Sequence, residues 1–99
     1  MMMEKQFVGY ILASKRNGTL YLGVTSDIVK RVWQDKNGFA EGFTNKYGIK
    51  TLVYYEIHED AENAIKRERQ LKKWRRAWKV ELIEEKNSEW RDLYADICQ

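Results

Sequence analysis

The sequence predicts an α+β fold, and three observations carry that prediction. Two apolar, β-prone runs, Phe7 to Ala13 and Thr19 to Val24, flank an Asn17-Gly18 pair. A third run rich in β-branched and aromatic residues covers Thr51 to Ile57. Helical periodicity fills most of what remains. At 99 residues, 43% of them hydrophobic, the chain is sized for one domain, residues 1–99, with one modest core.

The first two runs read as the arms of a β-hairpin, because Asn and Gly both tolerate the positive φ of a type I′ turn. A two-residue loop there puts Tyr10 and Tyr21 on the same face of the hairpin. A four-residue loop keeps that parity and brings the rings nearer, whereas three residues would separate them. Thr25-Ser26-Asp27 then supplies N-capping side chains for a first helix. Its expected apolar stripe is Ile28, Val32, Trp33, Phe39 and Ala40, with Arg31 and Asp35 at the edge, one turn apart. Gly38 and Gly42 loosen the chain toward a connection through Phe43 and Tyr47 to the third strand, whose pairing is non-local. From Glu59 onward the pattern is helical. Ala61, Ala64, Ile65 and Leu71 form one stripe with Glu68 in its middle; a further helix carries Trp74, Trp78, Leu82 and Ile83, and a short last segment carries Trp90, Leu93 and Ile97. The aromatics are expected mainly in packing.

Composition removes several classes of function. Cys98 is the single cysteine, which excludes an internal disulfide and a cysteine-based zinc cage. With His58 the single histidine, a transition-metal site is short of ligands, while a hard cation held by carboxylate oxygen stays open. No apolar run approaches the roughly 20 residues of a membrane helix. The stretch Met1 to Gln6 leads into no apolar block of signal-peptide length, so cytoplasmic residence is expected. Net charge is +3, yet residues 61 to 79 hold eight bases and only two acids. Such a concentration is the footprint of a phosphate-backbone binder, with a solvated helix face as the plainer alternative.

Glu68 most needs an explanation. A carboxylate on the buried side of a helix is costly without a cation or hydrogen bonds. An arginine such as Arg31 would satisfy it, and so would a divalent metal, since Mg²⁺ needs only one or two protein carboxylates when water and phosphate complete its shell. Arg31 presents a planar, permanently charged fork that matches two phosphate oxygens. It would counter the charge that builds on a phosphodiester under attack. Tyrosine hydroxyls can donate, accept or act as a base, but a phenol near pKa ~10 serves as a base at neutral pH only if a cation lowers it. Gly23 would admit close approach of backbone or substrate to the sheet.

The order of hairpin tyrosine, second tyrosine, helix arginine and distant helix glutamate resembles the GIY-YIG nuclease superfamily, which includes homing endonucleases, restriction enzymes and the incision subunit of bacterial excision repair. The resemblance runs from Tyr10-Ile11-Leu12-Ala13-Ser14 through Tyr21-Leu22-Gly23-Val24-Thr25-Ser26-Asp27 and Lys30-Arg31-Val32. It continues through Gly42-Phe43-Thr44, Leu52-Val53-Tyr54-Tyr55, Glu68-Arg69-Gln70-Leu71-Lys72-Lys73-Trp74 and Trp90-Arg91-Asp92-Leu93. Ten residues, 11 to 20, separate the two tyrosines, as that hairpin requires. The best match is to its small single-domain bacterial members.

That resemblance implies a small three-stranded antiparallel sheet flanked by helices. It implies Tyr10 as the base that activates water, Tyr21 as a positioner of water or phosphate, and Arg31 as the transition-state stabiliser. Glu68 would ligate a single Mg²⁺ or Mn²⁺, and Lys46 and Tyr47 would be accessory substrate contacts. Two positions depart from the pattern. Val8-Gly9-Tyr10 stands for Gly-Ile-Tyr, and Asp35 stands where relatives commonly carry histidine. Asp35 could blunt Arg31 by pairing with it, add a metal contact or face solvent; on that view Asp35→His raises activity. The leading expectation is a metal-dependent endonuclease acting on DNA, structured or damaged DNA included. Lys66, Lys72, Lys73, Arg75, Arg76 and Lys79 would contact phosphates. The alternatives are a catalytically impaired nucleic-acid-binding module of the same fold and an interaction module built on the tryptophan-rich C-terminal half.

Overall fold

In the computed structural model, residues 6–39 and 42–99 are described. The elements run β1 (Phe7–Ala13), β2 (Leu20–Thr25), α1 (Ile28–Lys36), α2 (Phe43–Lys46), β3 (Thr51–His58), α3 (Ala61–Lys73), α4 (Arg76–Lys86) and α5 (Tyr94–Ile97). The three strands form one antiparallel sheet in the order β2-β1-β3, so β1 is central. The fold is α+β, as expected. Among the described residues no helix is long and apolar enough to cross a membrane.

The β1–β2 connection is the four-residue alternative. Ser14 N–H donates to Thr19 O at 3.0 Å and Gly18 N–H to Lys15 O at 2.9 Å, leaving Lys15 to Gly18 as the loop. Asn17 alone there has positive φ, 59°, so the two-residue type I′ turn does not form. Ser14 explains the choice. Its Oγ accepts from Thr19 N–H at 3.0 Å, and a Cβ on Gly18 would fall 2.3 Å from that oxygen. Parity is kept: Tyr10 lies opposite Gly23 and Leu12 opposite Tyr21.

Both faces of β1 are covered, which is why it reads as a continuous apolar run. On one face Ile11, Ala13 and Leu22 pack with Val53 and Tyr54 against Leu71, Ile83 and Trp90. On the other, Tyr10, Leu12 and Leu52 pack against Val32 and Ile49, with Ile28, Leu93 and Ile97 at the margin. A register shift between Ile11 and Leu12 marks a bulge in the β1–β3 ladder. It lets the adjacent Val53 and Tyr54 serve the same face.

Helix α1 is capped as expected, Asp27 Oδ1 accepting from Lys30 N–H at 3.1 Å. Its inward face differs from the expected stripe. Val32 and Asp35 are buried, while Trp33 and Phe39 are 46% and 68% exposed and stack on each other at 5.3 Å. Ile28, Val32 and Asp35 are spaced i, i+4, i+7 and share one side; Trp33 points a quarter-turn away. Ala40 lies outside the described residues, as does Met1 to Lys5 of the N-terminal stretch. In α3 the inward positions are Ala64, Arg67, Glu68 and Leu71, and the expected Ile65 is exposed. Trp74 caps α3 in extended backbone instead of opening the next helix. Of the C-terminal tryptophans, Trp90 is core, with Nε1–H donating to Glu84 Oε2 at 2.7 Å, whereas Trp78 is half exposed.

Candidate active site

Tyr10 and Tyr21 project from the same face of the hairpin, their ring centroids 6.4 Å apart. Tyr10 is buried and its ring lies over the edge strand at Gly23. A Cβ at position 23 would fall 2.5 Å from the phenol oxygen and 2.7 Å from Cζ. What approaches the sheet at Gly23 is therefore neither backbone nor substrate but the tyrosine itself. Arg31, in the first turn of α1, brings its guanidinium carbon to 6.0 Å from the Tyr21 ring centroid. It also acts directly on the Tyr10 phenol.

The electrostatics of this cluster are opposed. Burial drives the Tyr10 pKa above the ordinary phenol value, and the attraction of Arg31, which draws it down, is the smaller effect. Tyr10 is thus a neutral phenol at physiological pH, and among the described residues none makes it a ready base. For Arg31, burial works against the charge, but Tyr10, Asp35 and Tyr21 outweigh it and hold the guanidinium above its usual value.

Glu68 approaches from the opposite side of the sheet, on α3, and lines a small recess together with Tyr10, Gly9, Gly23, Tyr54 and Glu56. Gly9 leaves the α3 face of the sheet bare there, whereas the bare side of Gly23 is the opposite one and lies under the Tyr10 ring. The recess measures about 10 Å³, room for roughly one water. The Glu68 side chain is 19% exposed and pairs with Lys72 Nζ at 3.3 Å. Arg31 is not its counter-ion: Arg31 Nε–H donates to Asp35 Oδ2 at 3.3 Å. Tyr10 borders the recess, while its ring lies on the other face with Tyr21 and Arg31.

Asp35 faces the interior, not solvent, its side chain fully buried. Its Oδ1 accepts from Thr44 Oγ1–H at 2.7 Å. Beyond it α2 extends the aromatic cluster: Phe43 stacks on Tyr21 at 6.4 Å and meets Tyr47 at 4.7 Å. Lys46 Nζ stands 5.4 Å from the Tyr47 ring centroid. Phe43 and Tyr47 are about half exposed.

Among the described residues no three His, Cys, Asp or Glu side chains gather as a metal site. Glu56 shares the recess but is clamped. Arg67 donates to it from Nε at 3.2 Å and from Nη2 at 3.1 Å, Tyr54 Oη–H donates at 2.5 Å, and His58 Nε2 lies 3.2 Å away. Glu68 holds only a half-exposed lysine, so a hard divalent cation taking one carboxylate and completing its shell with water and phosphate fits these residues. A site requiring three protein ligands does not.

The basic residues do not form one face. Lys66 and Lys73, with Arg69, line an open groove on the outer side of α3 beside Trp74. Lys72, Arg76 and Lys79 gather instead by Glu68 and the hairpin loop, Arg76 Nη2–H donating to Gly18 O at 2.7 Å and Lys79 Nζ–H to Lys72 O at 3.4 Å. Arg75 lies over Trp78 at 4.7 Å. Sequence reasoning missed Thr44 and the Glu56–Arg67 clamp. For Glu56 a signal existed, a lone acid inside an apolar strand; for Thr44 there was none.

Residues 6–81 match the family model described as the GIY-YIG catalytic domain. The UPF0213 protein of Staphylococcus saprophyticus is 36% identical over 83 residues, 84% of this chain and 99% of that protein. The UPF0213 protein of Clostridium perfringens is 37% identical over 78 residues, 79% of this chain and 83% of that one. The solution NMR structure of a UPF0213 protein from Bacillus halodurans superposes with a TM-score of 0.55 at 25% identity, covering 88% of this chain and 92% of that chain. The matched span holds all three strands, both tyrosines, Arg31 and Glu68. The chain belongs to the GIY-YIG catalytic domain family, a nuclease-type domain that implies a nucleic-acid substrate.

Proposed function

We propose that this protein is a metal-dependent endonuclease that hydrolyses DNA phosphodiester bonds by attack of water. The observation that carries the reading is the cluster of Tyr10, Tyr21 and Arg31 on one face of the sheet, with Glu68 lining a recess against the same two strands from the other face. Arg31 offers its guanidinium to the phosphate and stabilises the charge that grows on it. Tyr21 orients water or phosphate beside the ring of Tyr10. Tyr10 takes the proton of the attacking water through its minority phenolate, the form Arg31 favours and burial opposes. Glu68 would hold Mg²⁺ or Mn²⁺, which supplies positive charge beside the scissile phosphate. Lys46 and Tyr47 flank the substrate from α2, and Lys72, Arg76 and Lys79 meet the phosphates that run on from the site.

The test uses purified protein with single-stranded, duplex and branched DNA, in Mg²⁺, Mn²⁺ or chelator, beside Glu68→Ala. Cleavage is expected only with metal and with Glu68 intact. Cleavage that survives chelator or Glu68→Ala overturns the metal role. Salt-sensitive binding without cleavage in every condition assigns the chain to the impaired-module reading instead.

A further inference from the structure

Asp35 is a fully buried carboxylate, which is tolerated only when both oxygens are satisfied. Its two partners lie on different elements. Arg31 Nε–H occupies Oδ2 at 3.3 Å and Thr44 Oγ1–H occupies Oδ1 at 2.7 Å. Using Nε for Asp35 fixes the plane of the guanidinium and keeps its paired Nη groups, the edge that forks two phosphate oxygens, out of that ion pair. Thr44 is itself buried, inside α2, a four-residue helix without a side-chain cap and preceded by Gly42 at φ 87°. This segment carries Phe43, Lys46 and Tyr47 beside Tyr21.

We infer that Asp35 is a positioning residue: one buried carboxylate sets the Arg31 guanidinium and the α2 aromatic segment in fixed relation, so that a phosphate and its adjoining nucleotide are gripped together. This rests on the nuclease reading for its purpose but not for its geometry. It also reverses the sequence expectation for Asp35→His, because an imidazole at a dry site cannot accept from Arg31 and Thr44 at once.

The experiment follows the Arg31 Nε–H signal by NMR in ¹⁵N-labelled protein, with inorganic phosphate as probe, alongside DNA-cleavage kinetics in Mg²⁺. In the wild type that proton exchanges slowly. In Asp35→Asn it exchanges fast, phosphate no longer shifts it in the same way, and kcat falls by about 10²-fold with KM within about twofold, the loss expected from a misplaced catalytic group. Thr44→Val keeps the Arg31 signal, loses amide protection over residues 46–49, whose N–H groups bond to residues 42–45, and raises KM; Thr44→Ser restores both. An unchanged Arg31 signal in Asp35→Asn overturns the inference, and so does Asp35→His activity at or above wild type. Should Asp35→Asn not fold, undiminished protection over residues 46–49 in Thr44→Val overturns it equally. The NMR readouts stand whether or not DNA is cut, so failure of the nuclease reading is seen separately, as an intact Arg31 response without cleavage.

Discussion

A buried phenol beside an arginine has its proton pulled in two directions, and at Tyr10 burial prevails over Arg31. The sign of the consequence is definite. With the pKa raised, phenolate is scarce at neutral pH and grows tenfold for each unit of pH below that value. If Tyr10 is the base, log kcat rises with a slope of about one from neutral pH past pH 9, with no plateau between. Tyr10→Phe loses about 10²- to 10⁴-fold in rate and flattens the profile. Initial rates from pH 6 to 9.5 check this; a plateau near neutrality would assign the proton to another group. The identity of this residue and its shared face with Tyr21 were legible from the hairpin, because strand alternation leaves only loop length open. Its burial was not. It depends on Gly23 opposite, whose missing side chain makes room for the ring, and on Val32 and Ile49 arriving from elsewhere in the chain.

Strand β3 and helix α3 are joined by a polar clamp that hydrophobic periodicity does not reveal. Glu56 faces α3 among apolar neighbours and receives Arg67, Tyr54 and His58. Burial opposes its charge, but the hydrogen bonds from Arg67 and Tyr54 outweigh it and hold the carboxyl below the usual range. A carboxyl depressed in the folded state stabilises it above the unfolded pKa, near ~4.3, and that stabilisation is lost as pH falls through the folded value. Glu56→Gln is therefore expected to flatten the fall in stability below about pH 4.5 and to cost on the order of 1–3 kcal/mol at neutral pH. Urea unfolding across pH 3 to 7 measures both. The same clamp explains where the sequence misleads. The strands and long helices were legible from their periods, but which helical face turns inward was not. Inward positions of α1 and α3 are held by Asp35, Arg67 and Glu68, and the partners of the first two, Thr44 and Glu56, lie on other elements. Trp33, Phe39 and Ile65 were read as core because they are apolar, and all three are exposed.

Across the molecule the sheet is a partition, and the candidate residues stand on both sides of it. Tyr10, Tyr21 and Arg31 belong to the α1 face, and Glu68 belongs to the α3 face, where it lines a recess beside Gly9. The order of these four residues along the chain was legible; their division between the two faces of the sheet was not, because it depends on the α3 packing as well as the hairpin. The same partition sorts the positive charge. Lys72 and Lys79 stand on the Glu68 side, Lys66 and Lys73 on the outer groove, so on the path proposed above a nucleic acid would meet the first pair and not the second. The two pairs permit a matched comparison, since Lys72→Ala with Lys79→Ala and Lys66→Ala with Lys73→Ala each remove two charges. Binding to duplex DNA is measured in chelator across a salt series. The first double variant is expected to lower the slope of log affinity against log salt by about 1.5 to 2, one increment for each phosphate that is no longer neutralised. The second is expected to leave the slope unchanged. Equal losses from both would mean that net charge alone draws the nucleic acid in. A larger loss from the outer pair would place the nucleic acid on the far side of α3 and separate it from Glu68, against the path proposed for the substrate.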